Sequence, residues 1–135
     1  MRRLLWPLLI AGLVFFASSQ SHVAGPGMPH GDKVGHFLVY GLLGTLLCRL
    51  GNGGRAAGWA LFLASAYGAS DELHQFFVPG RSCSLADWVA DTLGAALAIG
   101  LYRGVGIYRA ALEARLWGRR SGIESGGAAS TVGAK

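Results

Sequence analysis

VGHFLVYGLLGTLLCRL (residues 34–50), GNGGR (51–55) and AAGWALFLASAYGASDELHQFF (56–77) follow one another without a break, and this stretch decides the fold. Two long apolar runs meet at a five-residue turn of glycine, asparagine and arginine, a turn signal too short for anything but an antiparallel reversal. The first run carries no charge before Arg49, and the second none before Asp71 and Glu72 near its far end. Working outward, LLWPLLIAGLVFFASS (4–19) lies upstream behind Arg2 and Arg3, and LADWVADTLGAALAIGLYR (85–103) lies downstream. Each run has about 16–22 residues, and as a helix rising ~1.5 Å per residue it spans roughly 24–33 Å, the thickness of a bilayer core.

Composition agrees. Of 135 residues only 14% are charged and 52% are hydrophobic, with a mean hydropathy of +0.40. A soluble domain carries about 25% charge. Length allows one compact unit. The expected fold is therefore an all-α membrane protein, a bundle of four transmembrane helices (about 4–19, 34–50, 56–77 and 85–103). They form one domain, 1–105, followed by a cytoplasmic basic tail, 106–135. Residues 20–33 and 78–84, rich in glycine and proline, read as loops. After Arg103 the tail sets Arg109, Arg115, Arg119 and Arg120 among Ile107, Leu112 and Trp117, a pattern that suits an interfacial amphipathic helix. Its end, GGAASTVGAK, is low in complexity and reads as disordered.

The formal charge of +5 comes from 12 basic and seven acidic residues, and placement gives it meaning. If four helices alternate, Arg2, Arg3, Arg49, Arg55 and everything from Arg103 to Lys135 fall on one side. That is ten of the 12 basic residues, with only Lys33 and Arg81 opposite. The positive-inside rule makes the ten-residue side cytoplasmic, with both termini there. Topology thus explains the charge; no nucleic-acid partner is needed, and the aromatic interleaving of a nucleic-acid platform is missing. Arg-Arg, an apolar run and Ala-Ser-Ser-Gln also fit a signal peptide, while retention as an anchor fits without processing. Cys48 and Cys83 fall at opposite faces of this topology, so they do not pair, and neither belongs to a Cys/His metal motif.

Five of the seven acids, Asp32, Asp71, Glu72, Asp87 and Asp91, fall at the outer helix ends, with Lys33, His36, His74, Gln75, Arg81 and Ser84. Helical spacing puts His36, Tyr40 and Gly44 on one stripe. Ala64, Gly68, Asp71 or Glu72, and Gln75 share a second, and Asp87, Asp91, Gly94 and Ala98 a third. Each stripe is polar at the outer end and small deeper down, where small residues let helices approach closely. Ionisable groups below the headgroups cost ~2.5–3.5 kcal/mol each, so a shared layer implies pairing, water or a ligand. Plainer roles stand beside this. Asp32 would N-cap the second helix, and Ser84 with Asp87 would form a capping box. His36 alone would be a structural hydrogen-bonder, His74 a solvated interfacial side chain, and Lys33 and Arg81 neutralisers of the acids.

At these residues the chain resembles the VanZ-like family of small bacterial membrane proteins. The resemblance rests on DKVGHFLVY (32–40), DELHQFFVPGR (71–81) and DWVADTLG (87–94), with the Ser-Ser-Gln that closes the first run. The family often has Asn where this chain has Asp91. The resemblance implies a multi-pass protein of the bacterial cytoplasmic (inner) membrane, with a cell-envelope role linked to susceptibility to the glycopeptide teicoplanin, and it supplies no reaction.

One reading is a site acting on a lipid-linked or cell-wall substrate at the outer leaflet. Asp71 or Glu72 would be general base and His36 its acid partner. Lys33 and Arg81 would hold an anionic head group, with Tyr40, Gln75, Ser84, Asp87 and Asp91 contributing to binding. A divalent metal on the carboxylates and His36 is a variant, with metal-assisted hydrolysis; no metal motif is present, and the cofactor stays unknown. No nucleophile motif decides whether it is an enzyme. Other readings are a non-catalytic binder of a glycopeptide, lipid or precursor head group, a transporter, and a structural or accessory membrane protein. Membrane lipids are partners in all of them, and an oligomer is left open.

Overall fold

The computed structural model describes residues 2–21 and 31–117, and among them every regular element is helical. Helix α1 is Arg2–Ser18, α2 Gly31–Cys48, α3 Gly53–Phe76, α4 Leu85–Gly104 and α5 Gly106–Trp117. The all-α expectation holds, with boundaries shifted by at most three residues. The one with consequences is the start of α2: beginning at Gly31, it places Asp32 inside the first turn and not ahead of it as a cap. The glycine-rich part of the expected first loop (22–30) and the low-complexity end lie outside the described residues.

The sequence accounts for the punctuation. Pro79-Gly80 forms a type II turn: Gly80 has φ of +80°, and the Arg81 amide donates to the Val78 carbonyl at 3.1 Å. Proline presets φ at the second turn position, and glycine supplies the positive φ at the third. Helix α4 starts at Ser84, whose Oγ accepts from the Asp87 amide at 3.3 Å. A break at Val105 separates α5, and the Tyr102 hydroxyl donates across it to Glu113 Oε1 at 3.0 Å.

The most extensive interface is α2 against α4, and it is built from missing side chains. A Cβ on Gly41 would lie 3.2 Å from the Gly94 carbonyl oxygen, and one on Gly44 would lie 3.0 Å from Ala95 Cβ. A Cβ on Gly94 would collide with the carbonyl of Phe37. Val14, Tyr40 and Leu43 form one core cluster, flanked by Ile10, Leu47 and Tyr67. Cys48, Ala60 and Ile99 form a second, nearer the α2–α3 turn. Both cysteines are free, Cys48 buried and Cys83 exposed.

The distribution of polarity is inverted relative to a water-soluble bundle. Leu8, Phe16, Leu38, Trp59, Phe62, Leu93 and Leu97 are exposed, whereas Asp71, Glu72, Gln75, Asp87 and Asp91 are buried. Apolar surface this extensive marks contact with a membrane or a partner. Among the described residues one helix, Leu85–Gly104, is by itself long and apolar enough to cross a bilayer. The apolar segments Arg3–Ser18 and Lys33–Cys48 are shorter, and α3 carries Asp71 and Glu72 in its last turns.

Candidate functional site

Alternation brings the end of α1, the start of α2, the end of α3 and the start of α4 to one end of the bundle. There the Lys33 ammonium donates to Asp87 Oδ1 at 2.7 Å. His36 Nδ1 lies 3.0 Å from Asp91 Oδ1, tying α2 to α4. Gln75 Nε2 donates to Asp71 Oδ2 at 3.1 Å and to Ser18 Oγ at 3.4 Å, tying α3 to α1. The backbone amide of Ser84 donates to Glu72 Oε2 at 2.6 Å.

That last bond rearranges the expected capping box. Ser84 caps α4 as the sequence implies, but the reciprocal partner of its amide is Glu72 from α3, not Asp87. A carboxylate there also faces the positive end of the α4 dipole. Asp87 is thereby released to pair with Lys33. One substitution of partner sets the geometry of both acids.

Asp91 is the deepest, fully buried at 0% exposure. Its Oδ2 points at α3, where a Cβ on Gly68 would come within 2.9 Å of it. Gly68 is therefore the space into which Asp91 fits. The His36 ring stacks on Tyr40 with an interplanar angle of 4° and centroids 6.2 Å apart, and Tyr40 in turn packs on Tyr67 at 6.1 Å. Tyr67 is fixed by donating to the Ala11 carbonyl at 2.6 Å. His36, Glu72 and Asp91 each offer a donor atom within 4.8 Å of the others.

Three buried polar atoms of this cluster have no hydrogen-bond partner among the described residues: the Tyr40 hydroxyl, Glu72 Oε1 and Asp91 Oδ2. An unsatisfied buried group costs about 1–3 kcal/mol, more when charged, so three together call for an explanation. Charge points the same way. Four buried acids, Asp71, Glu72, Asp87 and Asp91, face Lys33, which is paired with Asp87, and His36, which is paired with Asp91.

Not every candidate joins the cluster. Arg81 is half-buried in the turn before α4 and its side chain makes no ion pair among the described residues. His74, expected to be solvated, is half-buried and stacks on Phe15 at 4.7 Å. It also lies 3.0 Å from Ser19 Oγ; since that hydroxyl donates its proton to the Phe15 carbonyl, His74 Nε2 is the donor. Ser18 is a buried partner of Gln75 that helical spacing alone did not single out. The Ser65–Thr92 pair at 2.8 Å and the Trp88 Nε1 bond to the Ser65 carbonyl at 3.1 Å, both between α3 and α4, were equally unmarked. Among the described residues, Arg49, Arg55, Arg103 and Arg109 fall at the other end, where an open cleft of about 520 Å³ is lined by Tyr102, Arg103, Arg109 and Glu113.

A small helical bundle with an apolar exterior and an acidic layer at one end is consistent with a membrane protein. The chain belongs to the VanZ/LLP1 family, whose family model matches residues 10–109, a span that holds the entire polar cluster. No curated protein and no solved structure matches the chain. Membership makes it a VanZ-like protein.

Proposed function

We propose that the chain is a four-span inner-membrane protein whose outward-facing cluster binds or acts on a lipid-linked or cell-wall-related envelope substrate, altering glycopeptide susceptibility. One observation carries the reading: Glu72, Asp91 and Tyr40 are buried at one end of the bundle, each with a polar atom left unpaired among the described residues. A rim that only ties helices together needs paired groups. Lys33, partly exposed beside Asp87, is placed to meet an anionic head group. Gln75 holds Asp71 on the same helix, while the Ser84 amide holds Glu72 Oε2.

The four-span topology is part of this proposal. It rests on the segregation of Arg3, Arg49, Arg55, Arg103 and Arg109 from the acidic layer, which the positive-inside rule reads as cytoplasmic. Contacts of α1 with Tyr67 and Gln75 favour its retention as a membrane anchor. A transport pathway is disfavoured by the other half of the bundle, where Leu46, Ala60, Ala64, Ala95 and Ile99 are buried.

Cysteine chemistry tests the topology. Cys83 is exposed beside the acidic layer and Cys48 is buried near the other end. A membrane-impermeant maleimide added to intact spheroplasts is expected to label Cys83 and spare Cys48. Labelling of Cys83 only after lysis would invert the topology and remove the outward-facing site.

The function is tested with Glu72→Gln, which keeps the shape and removes the charge. In cells where the wild-type chain shifts teicoplanin susceptibility, the variant, present in the membrane at equal amount, is expected to abolish that shift. A full shift from Glu72→Gln would rule out a working role for the carboxylate.

A further inference from the structure

We infer that His36, Glu72 and Asp91 form a binding site for a divalent transition-metal ion. The inference deepens the proposed envelope site, since it assigns a ligand to the same cluster, but metal binding stands or falls separately from the substrate.

Four observations converge. The donor atoms come from three helices, α2, α3 and α4, yet lie within 4.8 Å of one another. Two donors bound to one ion at about 2.0–2.2 Å sit roughly 3.0–3.5 Å apart, depending on coordination number. The His36 Nδ1–Asp91 Oδ1 separation of 3.0 Å already matches one edge of such a polyhedron, and a shift of the Glu72 carboxylate closes the third corner. Next, Glu72 Oε1 and Asp91 Oδ2, on side chains only 3% and 0% exposed, have no hydrogen-bond partner among the described residues. A buried carboxylate oxygen left bare in this way is what a metal ligand looks like without its ion.

The supporting contacts are those of a metal centre too. Ligands in such centres are held by outer-shell bonds that fix their orientation. Here the Ser84 amide holds Glu72 Oε2. Gly68 leaves room for Asp91, and Tyr40 stacks flat on the His36 ring. Finally, an M²⁺ ion balances the two carboxylates, whereas the adjacent cation, Lys33, is paired with Asp87. One imidazole and two carboxylates form a nitrogen–oxygen donor set suited to Zn²⁺ or Mn²⁺. Three protein ligands leave a position open for water or a substrate oxygen, the arrangement of a catalytic and not a structural site.

The test uses the full chain purified in detergent and stripped with EDTA. Titrated with Mn²⁺ and followed by electron paramagnetic resonance, it is expected to bind about one ion per chain, displaced by Zn²⁺ according to the usual affinity order. Glu72→Gln and Asp91→Asn should each weaken binding by about 10-fold or more. Glu113→Gln, at the far end, should not weaken it, and neither should Cys83→Ser. Failure of the stripped wild-type chain to bind either ion overturns the inference, and that measurement does not depend on any variant folding. Loss of binding in Cys83→Ser would move the site to the thiol and also overturn it. No metal binding, combined with a Glu72→Gln variant that still abolishes the susceptibility shift, would refute the metal and leave the envelope reading standing. Metal binding that depends on Glu72, with susceptibility unchanged in the variant, would do the reverse.

Discussion

Gly94→Ala is expected to prevent the bundle from assembling, whereas Gly100→Ala, less than two turns along the same helix, is expected to be neutral or stabilising. Both changes add one methyl group and both gain helix propensity, by up to about 1 kcal/mol. They differ in what the methyl meets. At Gly100 nothing lies within 4 Å, while at Gly94 the new carbon would overlap the backbone carbonyl of Phe37 on α2. A side chain can rotate away from such a clash; a helix backbone cannot. Relief requires α2 and α4 to separate, and that opens the largest interface of the molecule. Overpacking costs about 1–3 kcal/mol even where side chains can yield, so a backbone collision belongs at or beyond the top of that range. The separation would also pull His36 away from Asp91, since the two residues bridge these same helices. Thermal melts of the purified chain in detergent check the pair. Equal melting of both variants would show that the close approach at Gly94 does not hold the bundle together.

The sequence located the helices because apolar run length and turn chemistry are local properties. Pro79-Gly80 marks a turn wherever it stands, and 51–55 reverses the chain for the same reason. The three polar stripes were legible because helical spacing is local as well: Tyr40, Gly44, Gly68, Asp87 and Gly94 are all buried. What spacing could not resolve was a choice between neighbours. The stripe on α3 admitted Asp71 or Glu72, and the structure buries both at 3% exposure, because α3 is covered by α1 on one side and α4 on the other.

Partner choice was not legible at all. Ser84 with Asp87 spells a capping box within one helix, yet the amide is claimed by Glu72, 12 residues earlier on another helix. Nothing local signals that competition, which depends on where α3 ends relative to α4. The same holds for Lys33 on Asp87 and for Ser18 beneath Gln75, pairs separated by 54 and 57 residues. Arg81 was placed in the same layer by its position between α3 and α4, and the structure sets it half-buried in the type II turn, its amide bonded to the Val78 carbonyl.

The surplus of buried acid leads to the second large effect: in metal-free protein, His36→Ala is expected to destabilise more than Asp91→Ala. The two residues form one pair, 3.0 Å apart, so a simple account in which each contributes half would predict equal losses. Their surroundings differ. The Asp91 side chain is fully enclosed, whereas that of His36 retains 16% of its accessibility. Deleting His36 leaves a buried carboxylate without its imidazole, in a layer that already holds Asp71, Glu72 and Asp87. Removing one partner of a buried pair costs about 3–5 kcal/mol when the remaining charge is stranded. Deleting Asp91 leaves an imidazole that can be neutral and can reach water at the bundle end, and it also removes one of the mutually repelling acids. Its cost reduces mainly to the space vacated beside Gly68. Replacing both residues with leucine should recover most of the loss from His36→Ala, because apolar groups of similar size often substitute for a buried ion pair without penalty. That double variant is nevertheless expected to lose the wild-type shift in glycopeptide susceptibility, which separates the pair's contribution to stability from its contribution to the site. The measurement is a set of thermal melts in EDTA with matched detergent. If Asp91→Ala melts at or below His36→Ala, the acids are not in excess, and the layer is balanced by groups already within the protein.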